Sequence, residues 1–394
     1  MIRLAEYNVC TGCGACAYKC PKHCISMQEN SIGIILPVID NTVCIECHTC
    51  EKSCPILNPI ELHKPFKAYA AWSNDVEERR TSASGGIATE IYKEALVQGY
   101  YIAGAVQNSD FSVTLELSNE EKQIFLFKNS KYVFSSAYKL FSQIKTALSL
   151  GNKIVVIGLP CQIAAVRKIF RDNELLLLID VVCHGTTPLI YLQQHIRRIE
   201  KEKKEKAVRM SFRDPIAYTY TFTFTLYNQH GHIFYSMPDG KGDSYQEGYH
   251  RMISYRENCY HCIFAQKQRI SDLTLSDYKG LGRMAPCDFN NLKVSSVLVN
   301  TEKGDEFLNE LIKNKSITAN ERPVDEPING DPQLRHPSLK SRRRIYFEKD
   351  INKMPLDYER TMYVVERLNN KWKYYDFIAK QEKRIINKIK KLFK

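Results

Sequence analysis

Eight cysteines between residues 10 and 54 constrain this chain more than any other feature. They run Cys10-Thr11-Gly12-Cys13-Gly14-Ala15-Cys16 and Cys20-Pro21, then Cys44-Ile45-Glu46-Cys47-His48-Thr49-Cys50 and Cys54-Pro55. Each half has the spacing C-x2-C-x2-C-x3-C-P. That spacing sets three thiolates of one loop around a 4Fe–4S cubane and sends the fourth to the other cluster. The crossover assigns Cys10, Cys13, Cys16 and Cys54 to one cluster, and Cys20, Cys44, Cys47 and Cys50 to the other. Gly12 and Gly14 suit a loop whose backbone N–H groups turn inward at positive φ. Zinc ribbons use two C-x2-C pairs rather than two runs of four with a trailing proline. Disulfides need an oxidising compartment, and the N-terminus has no charged-then-apolar leader. Cys24 stands outside the eight and reads as a small buried hydrophobe.

A chain of 394 residues, 44% apolar and 25% charged, is a soluble globular protein with room for two or three domains. The longest apolar run, residues 175–182, is far short of a membrane span and is broken by Asp180. The expected location is the cytoplasm, where fourteen cysteines mean metal and redox chemistry. The net charge of +12 is uneven: residues 340–394 hold 17 Lys/Arg against 7 Asp/Glu, leaving +2 for all the rest. A basic tail on a near-neutral body points to a local surface contact and not to nucleic acid.

Three segments follow: a dicluster ferredoxin unit over residues 1–62, a mixed α/β unit over 63–335, and a basic, largely helical tail over 336–394. The fold class is a small ferredoxin-like domain followed by an α+β or α/β domain. In the second unit, residues 67–72 read as a strand, and Ser84-Gly85-Gly86 opens a helix, a ready seat for phosphate or only a cap. Strands are expected at 101–106, 112–117 and 124–127, and a helix at 137–150. The strand at 153–157 leads through Gly158-Leu159-Pro160-Cys161-Gln162 into a helix over 163–170. The buried strand at 175–182 then ends in Cys183-His184-Gly185. Strand–helix–strand implies a parallel pair, which puts Cys161 and Cys183 at neighbouring carboxyl ends, the edge where open α/β sheets bind ligands. Residues 218–226 alternate as a strand with one wet face. A closing helix over 377–393 carries Ile378, Ile385, Ile386, Ile389 and Phe393 on one face. Lys380, Lys383, Arg384, Lys388, Lys390 and Lys391 occupy the rest. That face either packs on protein or makes a peripheral contact with anionic lipid.

Cys161, Cys183, Cys259 and Cys262 can form a third 4Fe–4S site, or they are two core thiols and an unrelated pair; spacing leaves both open. Cys287 is left over. Clusters pass single electrons, and a flavin is the usual converter to two-electron chemistry. No G-x-G-x-x-G follows the first strand, so a Rossmann dinucleotide site is unsupported.

Taken in order, Ser84-Gly85-Gly86, Ser130-Lys131-Tyr132-Val133, Gly158 to Gln162, Asp180 to Gly185, Phe212-Arg213-Asp214, Cys259-Tyr260-His261-Cys262 and Arg269 through Asp277 resemble the family of coenzyme F-420 hydrogenase/dehydrogenase beta subunits. The chain looks like that family with a two-cluster ferredoxin fused in front. The resemblance implies a flavoprotein that holds FAD and a third 4Fe–4S cluster on Cys161, Cys183, Cys259 and Cys262. Relatives oxidise reduced deazaflavin or, with ferredoxin as donor, reduce organic substrates; similar proteins are encoded among cell-surface polysaccharide genes. The expected function is therefore an iron–sulfur flavin oxidoreductase passing electrons between the clusters and FAD, with ferredoxin or another redox protein as partner and a small-molecule substrate. The rival is an electron-transfer subunit with no substrate of its own. Ser84, Gly85, Gly86, Ser130 and Lys131 are the expected contacts to FAD or substrate. Lys131 and His184 are the candidate catalytic groups; their plainer readings are a solvated lysine and a hydrogen-bond donor behind a ligand. The chain departs from the family at Phe134, Pro215, Ala217-Tyr218 and Lys279, which puts use of the deazaflavin in doubt.

Overall fold

The computed structural model describes residues 2–214, 222–290, 292–353 and 356–392. The first 62 residues hold α1 (Ala15–Lys19), the antiparallel pair β1 (Ile25–Glu29) and β2 (Ile35–Ile39), and α2 (Thr49–Lys52). The larger body continues with β3 (Lys67–Ser73), α3 (Val76–Thr81), α4 (Ile87–Val97), β4 (Tyr101–Gln107), β5 (Val113–Ser118), α5 (Gln123–Phe127) and β6 (Ser135–Ser136). Then come α6 (Tyr138–Ser149), β7 (Ile154–Gly158), α7 (Pro160–Phe170), β8 (Leu176–Val181), α8 (Leu189–Lys203), β9 (Arg209–Ser211), β10 (Thr223–Tyr227), β11 (Ile233–Pro238) and α9 (Ser244–His250). The chain ends with β12 (Leu273–Asp277), β13 (Ser295–Val299), α10 (Glu302–Lys313), β14 (Ile317–Arg322), α11 (Asp325–Gly330), α12 (Arg342–Ile351) and α13 (Tyr358–Leu392).

Among the described residues nine strands form one mixed sheet in the order β14-β3-β13-β12-β8-β7-β4-β5-β6. Its centre, β12-β8-β7-β4, is parallel. Helices cover both faces, so β7 is apolar throughout and β8 is apolar but for Asp180. Val155, Ile157, Leu177 and Ile179 meet Ile87 and Ile91 of α4 and Leu308 and Leu311 of α10. The alternate residues Ile154, Val156, Leu176 and Leu178 meet Leu140 and Ile144 of α6 and Ile163 and Val166 of α7. Period-two alternation thus divides each strand between two cores. A small sheet, β11-β10-β9, packs with α8, α12 and the start of α13 in a third core.

Three segments differ from the sequence reading. Residues 124–127 are helical, not extended: Ile124 and Phe127 are buried at helical spacing while Phe125 and Leu126 face outward. Short apolar runs of this kind carry no period of their own. Strand β10 is buried on both sides, Thr223 and Thr225 included, so it has no wet face; residues 218–221 of the expected strand lie outside the described residues, as do Pro215 and Ala217. Helix α13 begins at Tyr358, well before the expected start, because Tyr358, Thr361, Met362 and Val365 are buried in the body. Beyond them Trp372, Tyr374, Tyr375, Phe377 and Ile385 are exposed. The side chains of Lys383, Arg384, Ile386, Lys388, Ile389, Lys390, Lys391 and Phe393 lie outside the described residues. Among the described residues no helix is long and apolar enough to cross a membrane.

A buried charged knot fastens α13. His195 on α8 meets Glu359 of α13 at 2.6 Å through Nδ1 and Asp243, the N-cap of α9, at 2.9 Å through Nε2. Ser244 donates to Glu359 at 2.8 Å and Tyr235 to Asp243 at 2.8 Å. Burial pulls the imidazole pKa down, but the two carboxylates outweigh it and hold His195 up at about 9. A folded-state pKa above the unfolded value of about 6.5 means that this contribution is full below the lower value and is lost as pH rises through the upper one. We expect His195→Gln to destabilise the protein at neutral pH by about 3 kcal/mol, the scale of a broken buried ion pair. The variant should also flatten the fall in melting temperature between neutral and alkaline pH. Calorimetric scans of both proteins across that range check it; parallel profiles would remove the knot from the pH response.

Candidate functional site

The loop before α1 turns through Gly12 (φ +66°) and Gly14 (φ +81°), left-handed positions that a side chain resists. Cys10, Cys13, Cys16 and Cys54 line one small cavity together with Leu4, Met27 and Ile56. Cys20, Cys44, Cys47 and Cys50 line a second, with Ile25, Ile39 and the extra thiol Cys24. Each cavity therefore takes three cysteines from one loop and a fourth from the other. Among the described residues no group of three or more His, Cys, Asp or Glu is set for a single metal ion. A tetrahedral zinc would hold its sulfurs about 3.8 Å apart, from a Zn–S bond of about 2.3 Å. Cysteines around a void suit a bulkier inorganic centre. We call the first cavity proximal and the second distal; Cys47 of the distal one is exposed at the surface.

The other four cysteines also converge. Cys161 lies in the first turn of α7, Cys183 just beyond β8, Cys259 in the 3-10 turn Glu257–His261, and Cys262 immediately after it. All four line one cavity of about 40 Å³, which Cys13 of the proximal set also borders. Parallel pairing of β7 with β8 brings the first two together. Arg269 brings the second two. Its guanidinium donates to Asp180 of β8 at 2.7 Å, and to the carbonyls of Phe264 at 3.0 Å and Gln266 at 3.1 Å in the loop after Cys262. Arg269 and Asp180 are fully buried. Burial pushes the Cys262 thiol up to about 11, with Cys259 adding to the shift. Burial and then Cys183 and Cys262 push Cys161 up as well. Thiolates so placed repel one another unless a cationic centre lies between them.

A residue that sequence reasoning missed joins the two parts. Arg256, 2% exposed, donates to Thr11 O at 2.8 Å and Ile35 O at 3.3 Å, and lies 4.4 Å from the Phe134 ring centre. A Cβ on Gly12 would meet this guanidinium at 2.8 Å, so the loop of Cys10 and Cys13 is glycine-bound here for a second reason. Nothing local marks Arg256 in the sequence; its partners are backbone carbonyls more than two hundred positions away.

A large cavity of about 390 Å³ opens at the carboxyl edge of the parallel strands. Ser84, Gly86, Ser130, Lys131, Cys183 and His184 all line it. Gly85 does not: its N–H donates to Ser295 Oγ at 2.9 Å, and a Cβ there would strike Ala71 O at 2.5 Å. Its role is to let the loop pass against β3. Lys131 turns its ammonium onto the carbonyl end of α5, donating to Leu126 O at 2.7 Å, Lys128 O at 3.0 Å and Phe127 O at 3.1 Å. Burial draws its pKa down to about 7. His184 Nε2 stands 3.2 Å from Lys279 Nζ and 3.6 Å from Asp331. Arg213 spans the wall, bonded to Asp277 at 2.9 Å, Ala83 O at 3.2 Å and Tyr132 Oη at 3.2 Å. Asn129 is a further wall residue that sequence reasoning missed; its Oδ1 is buried with no partner among the described residues. Residues 183–186 border both this cavity and the four-cysteine one.

Comparison with known proteins adds to this geometry. Residues 9–57 match the 4Fe-4S dicluster domain, and residues 151–324 match the family described as the C terminus of the beta subunit of coenzyme F420 hydrogenase/dehydrogenase. The chain is similar to the F subunit of F(420)H(2) dehydrogenase from Methanosarcina mazei, 25% identical over 223 residues that cover 52% of this chain and 62% of that protein. It is also similar to the coenzyme F420-dependent sulfite reductase of Methanocaldococcus jannaschii, 27% identical over 175 residues, 42% of this chain and 26% of that protein. The chain thus spans less than two thirds of these curated relatives. Among solved structures, a chain of the F420-reducing [NiFe] hydrogenase complex from Methanosarcina barkeri aligns with a TM-score of 0.46 and 18% identity, covering 75% of this chain and 97% of that one. The chain carries a 4Fe–4S dicluster domain followed by the C-terminal domain of the coenzyme F420 hydrogenase/dehydrogenase beta subunits.

Proposed function

We propose that this protein is an iron–sulfur flavoprotein, with three 4Fe–4S sites leading to a flavin seat at the sheet edge. The observation that carries the reading is the meeting of Cys161, Cys183, Cys259 and Cys262 on one buried cavity that touches Cys13 on one side and the large cavity on the other. Cys20, Cys44, Cys47 and Cys50 would hold the distal cluster, Cys10, Cys13, Cys16 and Cys54 the proximal one, and the four convergent cysteines the third. Clusters so held supply single-electron transfer, and a flavin in the large cavity supplies exchange between one-electron and two-electron chemistry. The size of that cavity and an Asn129 Oδ1 without a partner among the described residues suit a planar ring that donates hydrogen bonds.

The chain's own residues have definite tasks in this reading. Ser84, Gly86 and Ser130 present small polar surfaces at the phosphate-binding end, beside the N-terminus of α4. The Lys131 ammonium is shared among three carbonyls, so it positions the Asn129–Tyr132 loop. His184 and Lys279 present exchangeable protons to whatever lies in the cavity. The substrate would be a deazaflavin or another organic two-electron acceptor, and the donor a ferredoxin or similar one-electron carrier. The rival, a subunit that serves a partner enzyme, draws support from the relative named as part of a dehydrogenase. The exposed aromatic stretch of α13 suits a partner protein or anionic lipid equally.

Anaerobically purified protein should contain about twelve iron per chain, at about four per cluster, and a flavin. About eight iron would remove the third site, and absence of yellow cofactor the flavin. Arg269→Met should release the Cys259–Cys262 loop from β8, lowering iron by about four per chain and stability by about 3–5 kcal/mol, with the dicluster signal retained in electron paramagnetic resonance. Full iron in that variant would show that Arg269 does not position the third site. Turnover of a small acceptor by the isolated chain with a reduced viologen supports an enzyme; activity only in a complex supports the rival.

A further inference from the structure

Arg256 is a buried cation without an anion. Its side chain donates to Thr11 O and Ile35 O, and both partners are neutral carbonyls. Among the described residues no carboxylate pairs with it. Its Nε–H is buried with no acceptor among them at all. Other buried arginines of the body differ. Arg269 has Asp180 at 2.7 Å, Arg322 has Glu326 at 2.8 Å, and Arg344 has Glu257 at 3.2 Å. The Phe134 ring, 4.4 Å from the Arg256 guanidinium, covers it further against water. An uncompensated buried charge and an unmade buried N–H bond are each costly. A fold that puts both on one residue leaves a place there for an anionic acceptor.

The surroundings point to which acceptor that is. Arg256 lines the cavity of Cys161, Cys183, Cys259 and Cys262. Its backbone is fixed there: its carbonyl accepts from Cys259 N at 3.0 Å, and its N–H donates to Thr186 O at 2.8 Å. Its guanidinium meanwhile holds Thr11, between Cys10 and Cys13 of the proximal set. Resting on the reading of the four convergent cysteines as a cluster site, we propose that Arg256 sets the reduction potential of the third cluster. Its Nε–H donates to a sulfur of that cluster, and its charge acts more weakly on the proximal one. Thiolate-bound cubanes are anionic, and one-electron reduction adds a further negative charge. A desolvated cation and a hydrogen bond to sulfur both favour the reduced form, and so raise the potential. The distal cluster lies outside this reach, since its cavity shares no wall residue with the four-cysteine one.

The test uses the full chain purified without air, titrated with dithionite through redox mediators and read by electron paramagnetic resonance. The third cluster's signal is the one missing from Cys262→Ala. In Arg256→Gln, with iron at the wild-type level, the reduced-to-oxidised ratio of the third cluster at a fixed potential should fall about tenfold, the scale of one nearby charge in a partly screened interior. The proximal ratio should fall less and the distal one not at all. Arg256→Lys keeps the charge without the Nε–H, and its third-cluster potential should lie between those of wild type and Arg256→Gln. Unmoved potentials, or one equal shift in all three clusters, overturn the proposal. If Arg256→Gln loses iron because the two units part, Arg256→Lys carries the test, and a third-cluster potential equal to that of the wild type overturns it. Wild-type protein with iron for only two clusters would instead remove the third site on which the proposal rests.

Discussion

The buried pair of Asp180 and Arg269 sets the terms for the rest of the molecule. A carboxylate at the end of a central strand, 0% exposed, is tolerable only with a cation and further donors against it. Arg269 at 2.7 Å and Ser271 at 2.9 Å provide them. In meeting that demand Arg269 draws down two carbonyls of the loop after Cys262. The charge requirement of one strand thereby becomes the positional control of a cysteine pair. Remove either partner and the other is an uncompensated buried charge, so the strand end and the cysteine loop are held or lost together.

Arg256 plays the corresponding part between the two halves of the chain. Its donors end on carbonyls of Thr11 and Ile35, one on the first cysteine loop and one at the start of β2. The small unit is thus held through its backbone acceptors, and Ala15 and Tyr18 of α1 add side-chain packing on Phe141 of α6. This is why Cys13 borders the cavity of Cys161, Cys183, Cys259 and Cys262. The cavities then follow one another from an exposed cysteine at one end to the sheet's carboxyl edge at the other, each sharing wall residues with the next after the proximal one. The carboxyl edge is where an open parallel sheet offers loops free of strand hydrogen bonding, and here it provides a void of about 390 Å³.

Much of this was legible in advance where chemistry or periodicity is local. The two C-x2-C-x2-C-x3-C-P runs name their own geometry, because three ligands within seven residues can close around only one centre. The apolar runs of β7 and β8 and the helix between them imply a parallel pair, and with it the nearness of Cys161 and Cys183. Residues 124–127 and 218–226 misled because four apolar residues have no period and because an alternating strand does not say what covers its polar side. Arg256, Asn129 and the His195–Asp243–Glu359 knot were not legible at all. Each is an ordinary polar residue until the fold brings it a partner, 245 positions away in the case of Arg256 and Thr11.

The sequence by itself determined which thiols are available: eight cysteines spaced for two cubanes, four more at strand ends and in a C-x2-C turn, and small residues where a loop must bend. Ligand spacing within a loop is a property of bond lengths and φ/ψ limits, so no tertiary information was needed. The tertiary structure alone decided that the scattered four share one cavity, that this cavity touches Cys13, and that Gly85 lies behind the wall while Gly86 lies in it. Those are distances between segments far apart in the chain. They are set by the packing of whole strands and by buried charges that must find one another.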